Sequence, residues 1–320
     1  MLNFGIIGIG NIAHRVAKGI LCSPKANLYA VASRNKENAK EFKEQYGAEK
    51  AYGSYEELLN DSEVDAVYIA SPHETHFSYI KESLQKGKHV LCEKPMVLKE
   101  EEATYLFELA AEKQLILMEA IKTAYCPGFN QLLSVVRSGV IGTVTDVESC
   151  FTKLENPLKR ELTDTVYGGS FIELASYTLL PIIKILGENY KEVRFESIKA
   201  ANGLDIYTKA YFNYNDGFAT SKNGLGVKSE GQLIISGTRG YILVEAPWWK
   251  TTTFEVRYED SSQNEHYFYK FLGEGLRYEV GDFVSLINGF RQKSFKLTRQ
   301  ESVRMAGLME EFLKYRNSGR

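Results

Sequence analysis

Hydrophobic and polar positions follow two different rhythms along the chain. Through about residue 120, short apolar runs alternate with segments of helical spacing. Phe4–Ile7, Leu28–Ser33, Ala66–Ala70, His89–Cys92 and Leu115–Met118 read as strands. Ala66-Val-Tyr-Ile-Ala70 is apolar without alternation, as expected of a strand covered on both faces. Between them, Asn11–Leu21, Lys36–Tyr46, Tyr55–Leu59, Glu74–Lys86 and Lys99–Lys113 read as helices. Gly47 and Gly87 follow two of these and suit the position just past a helix end. Glu100, Glu101 and Glu102 open another, where acids favour the helix dipole. Strands alternating with helices predict βαβ units and a doubly wound parallel sheet.

After about residue 122 the rhythm changes. Phe129–Arg137 and Phe171–Leu186 read as helices. Alternating stretches follow or intervene at Thr143–Phe151, Ile206–Tyr214, Gln232–Ile235, Tyr241–Val244, Phe254–Tyr258 and His266–Phe271. Asn215-Asp-Gly217 reads as a hairpin turn. Val280–Phe290 and Thr298–Tyr315 return to helix. The expected division is 1–122, a doubly wound α/β domain, and 123–320, an α+β domain with a mostly antiparallel sheet.

Composition narrows the classes. The 320 residues are 44% hydrophobic and 25% charged, which excludes a disordered chain. Net charge is 39 − 41 = −2, which gives no electrostatic case for nucleic acid or an anionic membrane. No apolar run approaches the ~18 residues of a membrane span. The chain enters a strand-like run at once, without a basic leader, so no export signal is expected. Cys22, Cys92, Cys126 and Cys150 have no paired spacing, which fits free thiols and a cytoplasmic location.

Candidate chemistry lies at the ends of the early strands. Gly8-Ile-Gly10-Asn11-Ile12-Ala13 follows a strand and opens a helix, the G-x-G-x-x-A pattern of a dinucleotide loop. Gly8 permits the turn, Gly10 lets backbone approach a diphosphate, and the amides of Asn11 and Ile12 point at it. At the tip of the second strand an acid would hold a ribose 2′-hydroxyl. Ser33 and Arg34 stand there instead, and Arg34 suits a 2′-phosphate, so NADP(H) is expected over NAD(H). Glu93-Lys94-Pro95 ends a buried strand where parallel sheets place their ligands. Pro95 restricts the backbone of Lys94 and offers a cis bond to fix it. His73 and His76 have no evident third partner, so no metal site is expected.

These residues carry a resemblance. GIGNIA (8–13), VASRN (31–35), AYGSYEELL (51–59), DAVYIASPHETH (65–76), GKHVLCEKPM (87–96) and MEA (118–120) resemble the Gfo/Idh/MocA family. Within it, the first domain is most similar to the dimeric dihydrodiol and NADP-dependent xylose dehydrogenase branch. The resemblance implies a Rossmann domain, and a second domain whose open sheet faces the site and often a partner subunit. It implies nicotinamide-dependent oxidation or reduction of a sugar, polyol or diol, in a homodimer or higher homo-oligomer. Lys94 matches the family's site lysine. A lysine beside the positive ring of an oxidised cofactor gives up its proton more readily, because like charge and desolvation disfavour the ammonium. Ser71, Pro72 and His76 match the segment beside the nicotinamide ribose, and Glu93 and Lys94 complete the expected cofactor contacts.

Many relatives carry a glycine-rich run, then Asp, then His four residues on. Here Gly168-Gly-Ser-Phe-Ile-Glu173-Leu-Ala-Ser-Tyr177 puts Glu173 and Tyr177 in those places, on one helix face. Lys94 and Tyr177 are the expected catalytic pair, with Glu173 orienting one of them. The dihydrodiol branch has Trp and Arg soon after Met-Glu-Ala, where this chain has Lys122-Thr-Ala-Tyr125; Lys122 and Tyr125 are pocket candidates by position. Trp248-Trp249 reads as packing before sugar platform. Two other readings stand beside the dehydrogenase: an NADP-binding regulator without turnover, and a redox-assisted glycosidase.

Overall fold

The structure is a computed structural model and describes residues 1–289 and 294–318. The chain divides into two compact units. The first opens with β1 (Leu2–Ile7), α1 (Asn11–Leu21), β2 (Ala26–Ala32), α2 (Lys36–Tyr46), β3 (Lys50–Tyr52) and α3 (Tyr55–Asn60). It continues with β4 (Ala66–Ile69), α4 (His76–Gln85), β5 (His89–Glu93), α5 (Glu100–Glu112), β6 (Leu117–Ala120) and α6 (Lys122–Tyr125). Its six strands are parallel in the order β3-β2-β1-β4-β5-β6. That is the doubly wound Rossmann order, with the switch point between β1 and β4. Leu58, Ile80, Leu84, Leu106 and Phe107 of α3, α4 and α5 cover one face as a continuous buried cluster.

Local signals explain the sharpest boundaries. Asn35 caps α2, accepting from the amides of Glu37 and Asn38, and Gly47 ends it at φ 72°. The β6 strand begins two residues later than expected, because Leu115 still bonds back to Ala110 at the end of α5. That shift carries Glu119 into the strand.

The second unit holds α7 (Pro127–Arg137), β7 (Val144–Thr152), α8 (Arg160–Thr163), α9 (Ser170–Leu186), β8 (Glu192–Lys199), β9 (Asp205–Asn213) and β10 (Phe218–Gly224). Then come β11 (Leu233–Gly237), β12 (Tyr241–Val244), β13 (Thr253–Arg257) and β14 (Glu265–Phe268). These form an eight-stranded sheet in the order β14-β13-β12-β11-β7-β10-β9-β8, antiparallel except for the β7/β10 pair. The expected hairpin joins β9 to β10, closed by Tyr214 N–H to the Gly217 carbonyl at 2.9 Å. Helix α9 packs on β7, β9 and β10. Thr178 of α9 reaches Ser221 and Asn223 of β10 in a buried polar network.

The chain then returns. Leu272–Ala306, with α10 (Leu276–Ile287) and the start of α11 (Arg299–Asn317), groups with the first unit rather than with 123–320 as expected. Packing is the reason. Phe283 of α10 meets Phe4 of β1 at 5.9 Å between ring centroids. A Cβ on Gly19 of α1 would sit 3.3 Å from the Arg277 amide, a tight contact, so the glycine eases the close approach of α10. Helix α10 begins a turn earlier than expected, and Phe290, its expected end, lies outside the described residues.

Candidate active site

The carboxyl ends of β1, β2, β4, β5 and β6 lie on one edge of the first sheet, and the predicted cofactor residues fall there. Gly8 has φ 92°, and a Cβ on it would press to 3.0 Å from the Ala70 carbonyl oxygen. The turn itself therefore requires this glycine. Gly10 differs. Its φ is −68°, and a Cβ would meet nothing within 4 Å, so open space lies above it. It caps α1 with no side-chain hydrogen bond and no acid in the first turn. Asn11 is exposed, Ile12 half-buried and Ala13 fully buried against the sheet. Bare backbone beneath open space, at an uncapped helix N-terminus, fits a dinucleotide diphosphate.

Ser33 is buried at the end of β2, and its hydroxyl accepts the Asn35 amide. Its own proton stays available to a ligand. Arg34 is exposed beside it. Ser71 and Pro72 form the rim after β4, with Thr75 donating to Ser71 at 2.7 Å. His76, the third residue expected in this segment, is the first residue of α4. It is fully buried, and its ring nitrogens face the carbonyls of Pro95 (3.0 Å) and Ser71 (2.9 Å). Burial holds its ring below the usual histidine range. As a neutral ring it has one N–H, so it donates to one of these two carbonyls and only packs against the other.

The loop carrying Lys94 is held at several points. Lys94-Pro95 is a cis bond. Tyr68 of β4, wholly buried, donates its hydroxyl to Glu93. The other Glu93 oxygen accepts the Lys94 amide at 3.2 Å. Glu119 of β6 accepts the Met96 amide at 3.0 Å, and His76 holds the Pro95 carbonyl. Lys94 is half-buried at this anchored turn. Burial raises the Glu93 carboxyl, opposed by the positive charges of Lys94 and Lys122. Burial also pushes Glu119 up to about 7.

In the second unit, Glu173 and Tyr177 stand one turn apart on α9, Glu173 buried and Tyr177 half-buried. Arg160 of α8 reaches Glu173 at 3.3 Å. Two glycines and one acid set the start of this helix. A Cβ on Gly168 would lie 2.6 Å from the Asp164 carbonyl oxygen. Asp205 accepts the Phe171 amide and the Thr208 hydroxyl, each at 2.8 Å. Burial lifts its carboxyl to about 6. Arg316 donates to the Gly168 carbonyl at 2.8 Å. Tyr177 meets Phe151 at 5.2 Å, and Phe151 stacks on Trp249 at 3.7 Å. Trp248 is a core residue that donates to the Cys150 carbonyl.

Sequence reasoning missed Tyr68, Glu119, Arg160, Asp205 and Glu279. Glu119 left one signal, an acid inside the apolar run Leu-Met-Glu-Ala. Among the described residues no group of three or more His, Cys, Asp or Glu is placed to hold a metal ion. Nor is any described helix long and apolar enough to cross a membrane.

Comparison with known proteins agrees with this geometry. Residues 2–121 match the oxidoreductase family with an NAD-binding Rossmann fold, GFO_IDH_MocA. Trans-1,2-dihydrobenzene-1,2-diol dehydrogenase of Sus scrofa is 29% identical, covering 98% of this chain and 96% of its own. The NADP(+)-dependent scyllo-inositol 2-dehydrogenase of Bacillus subtilis is 28% identical, covering 97% and 96%. The fold matches a solved 3-ketoreductase from Actinomadura kijaniata, in complex with NADP and TDP-benzene, at TM-score 0.83 and 22% identity over 97% of this chain and 96% of that one. Residues 2–121, with their glycine turn and anchored Glu93-Lys94-Pro95 loop, thus match the Gfo/Idh/MocA oxidoreductase family, and the chain is similar to these dehydrogenases along nearly its whole length.

Proposed function

We propose that this protein is an NADP(H)-preferring oxidoreductase acting on a CH–OH group of a sugar, polyol or diol. The observation that carries the reading is the placement of Lys94. Three buried side chains, Tyr68, His76 and Glu119, hold its loop at the same sheet edge as the open space above Gly10. A loop fixed this firmly around a half-buried lysine suits a group that must meet a reacting atom in one geometry. The diol and inositol dehydrogenases among the relatives support the substrate class.

A bound nicotinamide supplies the hydride acceptor or donor. The chain's own residues do the rest. Gly10 and the first amides of α1 receive the diphosphate, and Ser33 and Arg34 take the 2′-phosphate. Lys94 bonds the substrate hydroxyl and accepts its proton as the carbonyl forms, and Tyr177 is the second acid–base group. Glu173, ion-paired with Arg160, fixes the face of α9 that presents Tyr177. We place the protein in the cytoplasm, on its free thiols, and its homodimer contact on the open face of the second sheet, where Phe218 and Ile198 are exposed.

Fluorescence titration with NADPH and NADH, paired with turnover of Lys94→Ala on a polyol and diol panel, tests the reading. NADPH binds more tightly than NADH. Lys94→Ala loses roughly 10²–10⁴ in kcat while its NADPH affinity stays within about twofold of the parent. Unchanged turnover in that variant refutes the role of Lys94, and failure of both nucleotides to bind refutes the oxidoreductase.

A further inference from the structure

Helix α10 brings an acid back to the strand ends from far along the chain. Glu279 is 1% exposed, and its Oε1 lies 3.4 Å from the Tyr68 hydroxyl. Its other oxygen is buried without a hydrogen-bond partner. Tyr68 has one proton, and the closer acceptor, Glu93, takes it. At 3.4 Å the Tyr68–Glu279 approach is longer than an ordinary O–H···O bond, and with the Tyr68 proton on Glu93 it becomes a hydrogen bond only when Glu279 supplies the proton. Two ionised carboxylates facing one buried hydroxyl would repel each other where water cannot screen them.

One of the two acids must be neutral, and their surroundings say which. Glu93 is half-buried, next to Lys94, and accepts the Lys94 amide. Glu279 lies deeper. The groups facing it are Arg15 from α1, Tyr68 from β4, Glu93 from β5, and Lys122 and Tyr125 from α6. Arg15 is already paired with Glu274. Burial, reinforced by the charge of Glu93, pushes the Glu279 carboxyl well above the carboxylate range, and Lys122 opposes this only in part.

We propose that Glu279 is a positioning residue of the active centre: it keeps its proton at neutral pH, donates it to the Tyr68 oxygen, and so commits the Tyr68 hydroxyl to Glu93, which anchors Lys94. The relay is directional, from Glu279 to Tyr68, from Tyr68 to Glu93, and from the Lys94 amide back to Glu93. It makes the returning segment part of the machinery that holds the lysine. The kinetic consequence rests on the oxidoreductase reading above; the proton assignment does not.

The test uses the full-length protein and three variants, Glu279→Gln, Glu279→Leu and Tyr68→Phe. An infrared difference spectrum at pH 7, parent minus Glu279→Gln, shows the carbonyl stretch of a neutral carboxylic acid. In NMR of ¹³C-methylated lysines, the Lys94 signal, identified by its loss in Lys94→Arg, moves in Glu279→Leu and Tyr68→Phe but not in Glu279→Gln. With NADP⁺ and whichever polyol or diol is turned over, Glu279→Gln keeps kcat within about threefold, because its amide donates as the acid did. The other two variants lose at least about tenfold in kcat at unchanged KM for NADP⁺. Carboxylate bands in place of the acid band overturn the proposal. So does a Lys94 signal indifferent to Glu279→Leu, or a Glu279→Gln variant as impaired as Glu279→Leu. If the parent turns over nothing while the acid band and the NMR shifts are present, the oxidoreductase reading fails and the relay stands.

Discussion

Replacing Gly169 by alanine separates two contributions that are hard to tell apart elsewhere. Helix α9 has a glycine at each end in the same unusual backbone region, Gly169 at φ 107°, ψ 157° and Gly187 at φ 84°, ψ −174°. An L-residue in that region costs about 1–3 kcal/mol. A Cβ on Gly187 would meet nothing within 4 Å, so Gly187→Ala carries the backbone cost alone. A Cβ on Gly169 would land 2.1 Å from Asp205 Oδ1. Asp205 is fully buried and cannot swing to solvent. To make room it must release the Phe171 amide or the Thr208 hydroxyl. Hydrogen bonds to a charged group are worth about 1.5–3 kcal/mol each. Gly169→Ala is therefore expected to cost about 2–4 kcal/mol more than Gly187→Ala.

For a domain of this size that difference corresponds to roughly 5–15 °C in melting temperature. Thermal and urea unfolding of both variants measure it. In an Asp205→Ala background the clash is gone, so the added cost of Gly169→Ala falls to that of Gly187→Ala. Turnover falls as well in Gly169→Ala, since the displaced segment begins the helix that bears Glu173 and Tyr177. Equal melting temperatures for Gly169→Ala and Gly187→Ala would refute the assignment of Asp205 as the cap that demands this glycine.

Two further outcomes follow from the first unit. Glu119 titrates at about 7 in the folded protein against 4.5 as its ordinary value, so the folded state holds its proton more tightly than the unfolded chain. That contribution favours folding at low pH and is lost as pH rises through about 7. Glu119→Gln mimics the neutral acid and still accepts the Met96 amide. It is thus expected to exceed the parent in stability by up to about 3 kcal/mol at pH 8 and to match it below about pH 5, and urea titrations giving a pH-independent gap would count against this. Arg34→Ala is expected to weaken NADPH binding roughly tenfold to a hundredfold while leaving NADH within about twofold, and equal losses for both nucleotides would remove the basis for the NADP(H) preference.

The helices of the first unit were legible because their signals are local. Asn11–Leu21 and Lys36–Tyr46 have the predicted ends, the second with a capping Asn35 and a terminal Gly47 at its borders. Strand β10 was not legible. Its buried face is Ala219, Ser221 and Asn223, small and polar, and it is buried at all only because Thr178 of α9 satisfies the serine and asparagine. Strand β8, at the sheet edge, keeps Glu192, Arg194 and Glu196 in solvent and buries Phe195, so its pattern is mostly charge. The return of α10 to the first unit left no local trace, because it depends on how Gly19 and Phe4 meet residues more than 250 positions away.

The site divides along the same line. Motif spacing assigned His76 and Lys94 to the same ligand. Only the fold distinguishes them: two carbonyls close around His76, while the turn at Lys94 leaves that side chain half-buried at the strand ends. The acids show the limit most clearly. Glu93 and Glu279 are the same residue type, and both lie against Tyr68. One sits beside a lysine with an amide to accept, and the other has a buried oxygen with nothing to bond. Whether a glutamate acts as a charge or as a neutral donor is set by partners 25 and 211 residues away. A sequence specifies those partners only through the complete fold, so the place of Lys94 at a strand end was readable in advance and the partners of the acids behind it were not.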